Sequence, residues 1–153
     1  PEHLALLYGC ADVTINISDA EGFGLATLES LACETPVIVN MTGGLQEQVT
    51  DGKKWFGIGI EPSSKAIIGS QEIPFIREDR VNEDDVVNAL FTMYEKTHKQ
   101  RRKMGTDGRK YLEKNYNFEK FEESWVDFMD KIIEENGSWK TRKNYNAWEQ
   151  IQL

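Results

Sequence analysis

A strand-like run, a glycine turn and an apolar helix follow one another within residues 11–33, and that order admits few folds. Ala11-Asp12-Val13-Thr14-Ile15-Asn16-Ile17-Ser18 alternates apolar and polar side chains and predicts a strand over 11–18. Glu21-Gly22-Phe23-Gly24-Leu25 interrupts it, and the small and apolar residues of 24–33 predict a helix. Pro36-Val37-Ile38-Val39 opens a second strand at 36–40, followed by a helix at 44–49 and a third strand at 57–61. Such spacing predicts an α/β arrangement of parallel strands joined by crossover helices. Ahead of it, residues 1–7 read as a short helix with Pro1 in its first turn.

The turn carries the chemistry. Glycine at 22 and 24 lets a ligand approach the backbone, and the N–H groups that open the next helix favour an anion such as a phosphate. Glu21 and Glu29 frame this turn with seven residues between them. Within so apolar a helix a lone Glu29 carboxylate is costly unless paired, and a ligand with hydroxyl groups would pair it. Taken as a bare pattern this means little. The chain has 17 glutamates, and such a pair arises roughly twice by chance. On the glutamates alone, a satisfied carboxylate without a ligand is the stronger reading of Glu29. The strand, turn and helix in order are what change the balance.

The stretch Ala11 to Gly52 resembles the donor-binding half of retaining, nucleotide-sugar-dependent glycosyltransferases of the GT-B architecture, the group 1 or family 4 type. The matching residues are Leu7-Tyr8, Ala11-Asp12-Val13, Ser18, Glu21-Gly22-Phe23-Gly24-Leu25 and Glu29. They continue through Ala32-Cys33, Thr35-Pro36-Val37-Ile38, Gly43-Gly44-Leu45, Val49 and Asp51-Gly52. A weaker resemblance runs on to about Glu134. Glu34 stands where the family usually has glycine, and Ile17 where it often has proline.

The resemblance implies an α/β fold, a Rossmann-like parallel sheet with flanking helices that is the second half of a GT-B C-terminal donor domain, covering residues 1–135 with an insertion at 63–81 and a tail at 136–153. It implies transfer of a sugar to an acceptor hydroxyl (of a glycan, lipid or protein) with retention at the anomeric carbon. Glu21 would act at the donor sugar, and Glu29 would accept hydrogen bonds from the ribose. Ser18, Gly22, Phe23, Gly24 and Leu25 would line the donor site, with Gly43 and Gly44 opening the next helix on the same side. No metal is required, and no cofactor beyond the nucleotide-sugar substrate. The strands and basic residues expected ahead of Pro1, and the partnering N-terminal domain, are not in this chain, so this part is not expected to turn over alone. Two alternatives stay open: another GT-B enzyme such as an epimerase or phosphorylase, and a non-catalytic module that binds a sugar-nucleotide or a partner.

Composition narrows the field further. The 153 residues suffice for one domain with a core. Cys10 and Cys33 sit in apolar contexts without metal-ligand spacing and read as buried reduced thiols, which suits a cytoplasmic protein. The net charge of −8, and the lack of any Lys or Arg before Lys53, argue against nucleic acid. Lys99-Gln100-Arg101-Arg102-Lys103 reads as a solvated helix face, with peripheral contact to an anionic membrane as a second use.

Beyond the sheet, Asn82 predicts a helix cap, with Val86, Val87, Leu90, Phe91 and Tyr94 on one side of the helix. Helices are expected at 98–115 and 118–135, the latter with Phe121, Trp125, Phe128, Met129 and Ile132 as a core-facing stripe. Ser63 to Val81 reads as a long irregular connection with Gly69 and Pro74, either inert or in contact with the acceptor. In the tail, the resemblance implies that Trp139, Tyr145 and Trp148 are anchors for the other domain, to which the family's chain end crosses back.

Overall fold

The computed structural model describes residues 2–143. These fall into two compact units, residues 1–114 and residues 115–153, each treated by itself. Helix α1 (Glu2–Cys10) leads into strand β1 (Thr14–Asn16), helix α2 (Leu25–Ala32), strand β2 (Val37–Asn40), helix α3 (Leu45–Val49) and strand β3 (Gly57–Ile60). Next come β4 (Ser64–Ile68) and β5 (Ile76–Arg80), then α4 (Glu83–Glu95), α5 (His98–Asn115) and α6 (Phe118–Asn136). The three-stranded sheet has the order β1-β2-β3 and is parallel throughout, with Ile15 opposite Ile38 and Ile38 opposite Ile58. The predicted Rossmann-like α/β arrangement is the one observed.

Strand β2 organises the sheet. It lies between two neighbours and all four of its residues are buried, the usual reason that a central parallel strand reads as an unbroken apolar run. Its side chains divide between two cores because they alternate in direction. Val37 and Val39 join Leu31, Leu45, Val49 and Phe56, with Tyr111 and Leu112 of α5 against them. Ile38 joins Ile60, Ala89 and Met93 on the opposite face. Strand β1 forms the edge, which leaves Ile15 and Ile17 exposed.

Several expectations are corrected. Strand β1 is shorter than 11–18, and α1 runs on to Cys10 with its leucines exposed. Cys10 is exposed and Cys33 half-buried, because α1 has no buried residue to enclose them. Asn82 does cap α4, accepting from the Asp85 N–H at 2.8 Å. However, α4 turns Ala89 and Met93 inward, while Val87, Leu90, Phe91 and Tyr94 are exposed. The buried pair lies four residues apart and marks one helix face; the sequence pattern was drawn around its bulkier neighbours. The basic run on α5 is not uniformly solvated. Arg101 turns inward, donating to the Lys96 carbonyl and meeting Asp12 at 3.1 Å.

The segment 63–81 is not irregular. β4 and β5 pair as an antiparallel hairpin, Lys65 opposite Asp79, joined by a tip at 69–75. Polar residues on both strands hid it, since most of the hairpin stands exposed and needs no apolar face. In the second unit, Phe121, Trp125, Phe128, Met129 and Ile132 are exposed rather than core. Among the described residues of that unit, the rings of α6 meet one another edge to face along the helix, Phe121 with Trp125 and Trp125 with Phe128. Trp139 is exposed with the Arg142 guanidinium 3.6 Å above its ring; Tyr145 and Trp148 lie outside the described residues.

Glu34 shows why its position favours glycine. It closes α2 at φ 60°, a left-handed conformation, with its carbonyl against Gly105 of α5. An L-residue there carries roughly 1–2 kcal/mol of strain. Its carboxylate accepts from Thr106 at 3.2 Å. Both Glu34→Gly and Glu34→Ala lose that bond, but glycine also sheds the strain. Urea unfolding should therefore find Glu34→Gly more stable than Glu34→Ala by about 1 kcal/mol.

Candidate active site

The parallel order fixes where the turns lie. Residues 17–24 leave the C-terminal end of β1 and residues 41–44 leave that of β2, so both reach the same rim, the side on which open α/β sheets hold ligands. There the two segments touch. A Cβ on Gly43 would stand 1.7 Å from the Glu21 carbonyl oxygen, and one on Gly44 2.6 Å from that of Phe23. Gly43 also has φ +47°. Main chain thus packs on main chain, a contact closed to any other residue.

Gly24 is the second special position. It caps α2 at φ 89° without offering a side chain. The Thr27 and Leu28 N–H groups return to its carbonyl, at 3.1 and 3.4 Å. The Leu25 and Ala26 N–H groups precede any intrahelical acceptor, so the positive end of the helix dipole opens beside Glu21 and Gly22. Glu21 is half-buried, while Gly22, Phe23 and Leu25 are exposed. The Ser18 hydroxyl turns back to Asn16 Oδ1 at 2.8 Å.

Glu29 lies one turn further along α2, and the structure corrects the argument made for it. It is exposed, so no burial penalty demands a partner. Its carboxylate accepts from the Tyr8 hydroxyl at 3.0 Å, tying it to α1 rather than to the glycine turn. Burial, and next the Glu29 carboxylate, raise the Tyr8 pKa above its ordinary value. Asp51-Gly52, also within the resemblance, serves a turn. Asp51 Oδ1 accepts the Lys53 and Lys54 N–H groups at 2.9 and 2.6 Å, and these bonds hold its carboxyl below the usual range.

Sequence reading missed the residues that fix the rim. Gln48 of α3 is fully buried and donates to the Phe23 carbonyl, while its Oε1 would stand 3.0 Å from a Cβ on Gly24. Asn40, fully buried at the end of β2, donates to the Ser18 carbonyl at 2.9 Å. Among the described residues, the Gln48 Oε1, Asn40 Oδ1 and Thr27 Oγ1 atoms are buried without a hydrogen-bond partner. The available signal was a polar side chain ending an apolar strand or facing inward on a short helix, which is costly unless used. Also among the described residues, no group of three or more His, Cys, Asp or Glu is arranged to hold a metal ion, and no helix is long and apolar enough to cross a membrane.

A groove of about 270 Å³ lies at the other end of the sheet, lined by Asp12, Glu34, His98 and Arg101, and takes no part in this rim. Gly43→Ala tests the rim directly. Its methyl group meets backbone and its φ is unfavourable, so destabilisation of at least about 2 kcal/mol is expected in urea unfolding.

Residues 1–70 match the family described as "Glycosyl transferases group 1". The D-inositol 3-phosphate glycosyltransferase of Acidothermus cellulolyticus is 34% identical in an alignment of 118 residues that covers 69% of this chain and 26% of that protein. That of Streptosporangium roseum is 53% identical over 53 residues, 34% of this chain and 12% of it. The chain thus spans about a quarter or less of the length of these relatives. A sucrose-phosphate synthase from Thermosynechococcus elongatus superposes with a TM-score of 0.66 at 25% identity, over 88% of this chain and 28% of that one. Residues 1–70 thus match the group 1 glycosyltransferases, and the Rossmann-like fold is shared with a protein of GT-B architecture.

Proposed function

We propose that this chain is the donor-binding part of an enzyme that transfers a hexosyl unit from a nucleotide-sugar to an acceptor hydroxyl, with retention. The observation that carries this reading is the rim itself. Glu21, the Gly22–Gly24 turn and Gly43-Gly44 are packed backbone to backbone at the opening of α2. Preorganised N–H groups at a helix N-terminus suit a leaving diphosphate, and an adjacent carboxylate suits positive charge developing at a sugar carbon.

In this reading the N–H groups around Gly24 and Leu25 hold the diphosphate, while Ser18, Gly22 and Phe23 line the donor. Glu21 contacts the sugar, and its carboxylate faces the anomeric centre. Glu29 accepts two ribose hydroxyls, an acceptor-only group meeting two donors. The Tyr8 hydroxyl holds that carboxylate in place beforehand. Gly43 and Gly44, packed on the Glu21 turn, line the sugar pocket with main chain. Cations for the diphosphate, and the acceptor site, come from parts of the full-length protein beyond this chain. No residue in this scheme calls for a metal.

Two substitutions in the full-length protein separate the roles. Glu29→Ala removes charge-assisted bonds worth roughly 1.5–3 kcal/mol, so affinity for the nucleoside diphosphate should fall about ten- to a hundredfold. Calorimetric titration with UDP, GDP and ADP measures this; unchanged affinity sinks the ribose assignment. Glu21→Ala should lower turnover with little effect on nucleotide affinity, because its interaction strengthens in the transition state.

A further inference from the structure

One residue of the β4–β5 hairpin reaches the rim in three ways. The Asp79 N–H donates to the Asp19 carbonyl at 2.7 Å. Its own carbonyl accepts from Asn40 Nδ2 at 2.5 Å, and its Oδ2 accepts from the Thr42 hydroxyl at 2.9 Å. Asn40 and Thr42 are both buried, and Asn40 donates a second bond to Ser18. Asp79 therefore links the segment that follows β1 to the segment that follows β2. Those segments lead directly into Glu21 and Gly43, whose backbones meet.

The two main-chain bonds already attach the hairpin to the sheet. The carboxylate does something additional: it holds Thr42, the residue before a pair of glycines. Glycine imposes little restriction on its own φ and ψ, so the Gly43-Gly44 backbone takes its position from what anchors its ends. Leu45, fully buried in the core, anchors one end. Thr42 anchors the other, through Asp79. Lys65 stands 3.6 Å from the second Asp79 oxygen but is highly exposed, so it adds little.

We propose that Asp79 is a positioning residue for glycosyl transfer, fixing Gly43-Gly44 against Glu21 through Thr42. The insertion at 63–81 is then part of the machinery that aligns the reacting sugar. The proposal rests on the donor-site reading given above. Because the braced segments adjoin Glu21 rather than Glu29, disturbance falls on turnover and not on nucleotide affinity.

The test uses the full-length protein and whichever of UDP-glucose, GDP-mannose and ADP-glucose it binds, following release of nucleoside diphosphate. Asp79→Ala and Thr42→Val should each lower kcat about tenfold while donor KM stays within about twofold, since small misplacements at a reacting centre cost rate. The double variant should be no slower than the slower single one, as expected when two residues act through one bond. Asp79→Asn and Thr42→Ser keep an acceptor and a hydroxyl, and should keep most of the activity. Multiplicative losses in the double variant, unchanged kcat, or losses confined to melting temperature would overturn the proposal. Calorimetry separates it from the reading beneath it. A wild type that binds none of the nucleotides defeats the donor site and Asp79's role together. Normal binding with unmoved kcat in Asp79→Ala defeats the positioning role alone.

Discussion

The absence of two side chains governs this rim. Where Gly43 meets the Glu21 carbonyl and Gly44 meets that of Phe23, there is no volume for a Cβ. Everything nearby follows from keeping those backbones in contact. Strands β1 and β2 must run parallel and in register, with Asn16 opposite Val39, so that their C-terminal ends stand side by side. Helices α2 and α3 must then begin on the same side. Gln48 of α3 crosses back to the Phe23 carbonyl and closes the contact from beneath.

The rim rests on burial, not on ion pairs. Phe56, Leu31 and Ile38 are essentially inaccessible to water, and each is worth roughly 1.5–3 kcal/mol relative to exposure. The charged contacts lie at the surface, as in Arg109–Glu113, where both partners are about half exposed. Such pairs contribute about 0–1 kcal/mol. A fully buried β2 between two apolar layers leaves its register little freedom, because a slip by one residue would send Val37 and Val39 to the face of Ile38.

What could be read in the sequence was local. Val37-Ile38-Val39 announces a central strand, and Glu21-Gly22-Phe23-Gly24 announces a turn into a helix, because neighbours along the chain set both patterns. Asn82 was legible as a cap for the same reason. The failures share a different cause. The stripe on α6 predicts an apolar face correctly but cannot say whether anything covers it. Cys10 stands among apolar residues that are themselves exposed. Glu29 sits among apolar neighbours yet projects outward. The β4–β5 hairpin lacks an apolar alternation, and Asp79 meets Asn40 across 39 positions of sequence, a separation that periodicity does not reach.

Among the described residues, the hydrogen bonds that tie the hairpin to the sheet lie at its foot, and this divides it into two regions with opposite tolerance to change. Asp79 is committed to three neighbours, whereas Ile67, Ile73 and Phe75 near the tip are exposed. Lengthening an exposed connection costs only the entropy of closing a longer loop, about 0.6 kcal/mol for each doubling. The stretch 69–75 is consequently a natural place to insert an epitope or attach a fluorophore. A reporter there would sit on the same arm that grips the rim, and movement of the glycine segment would reach it through paired strands.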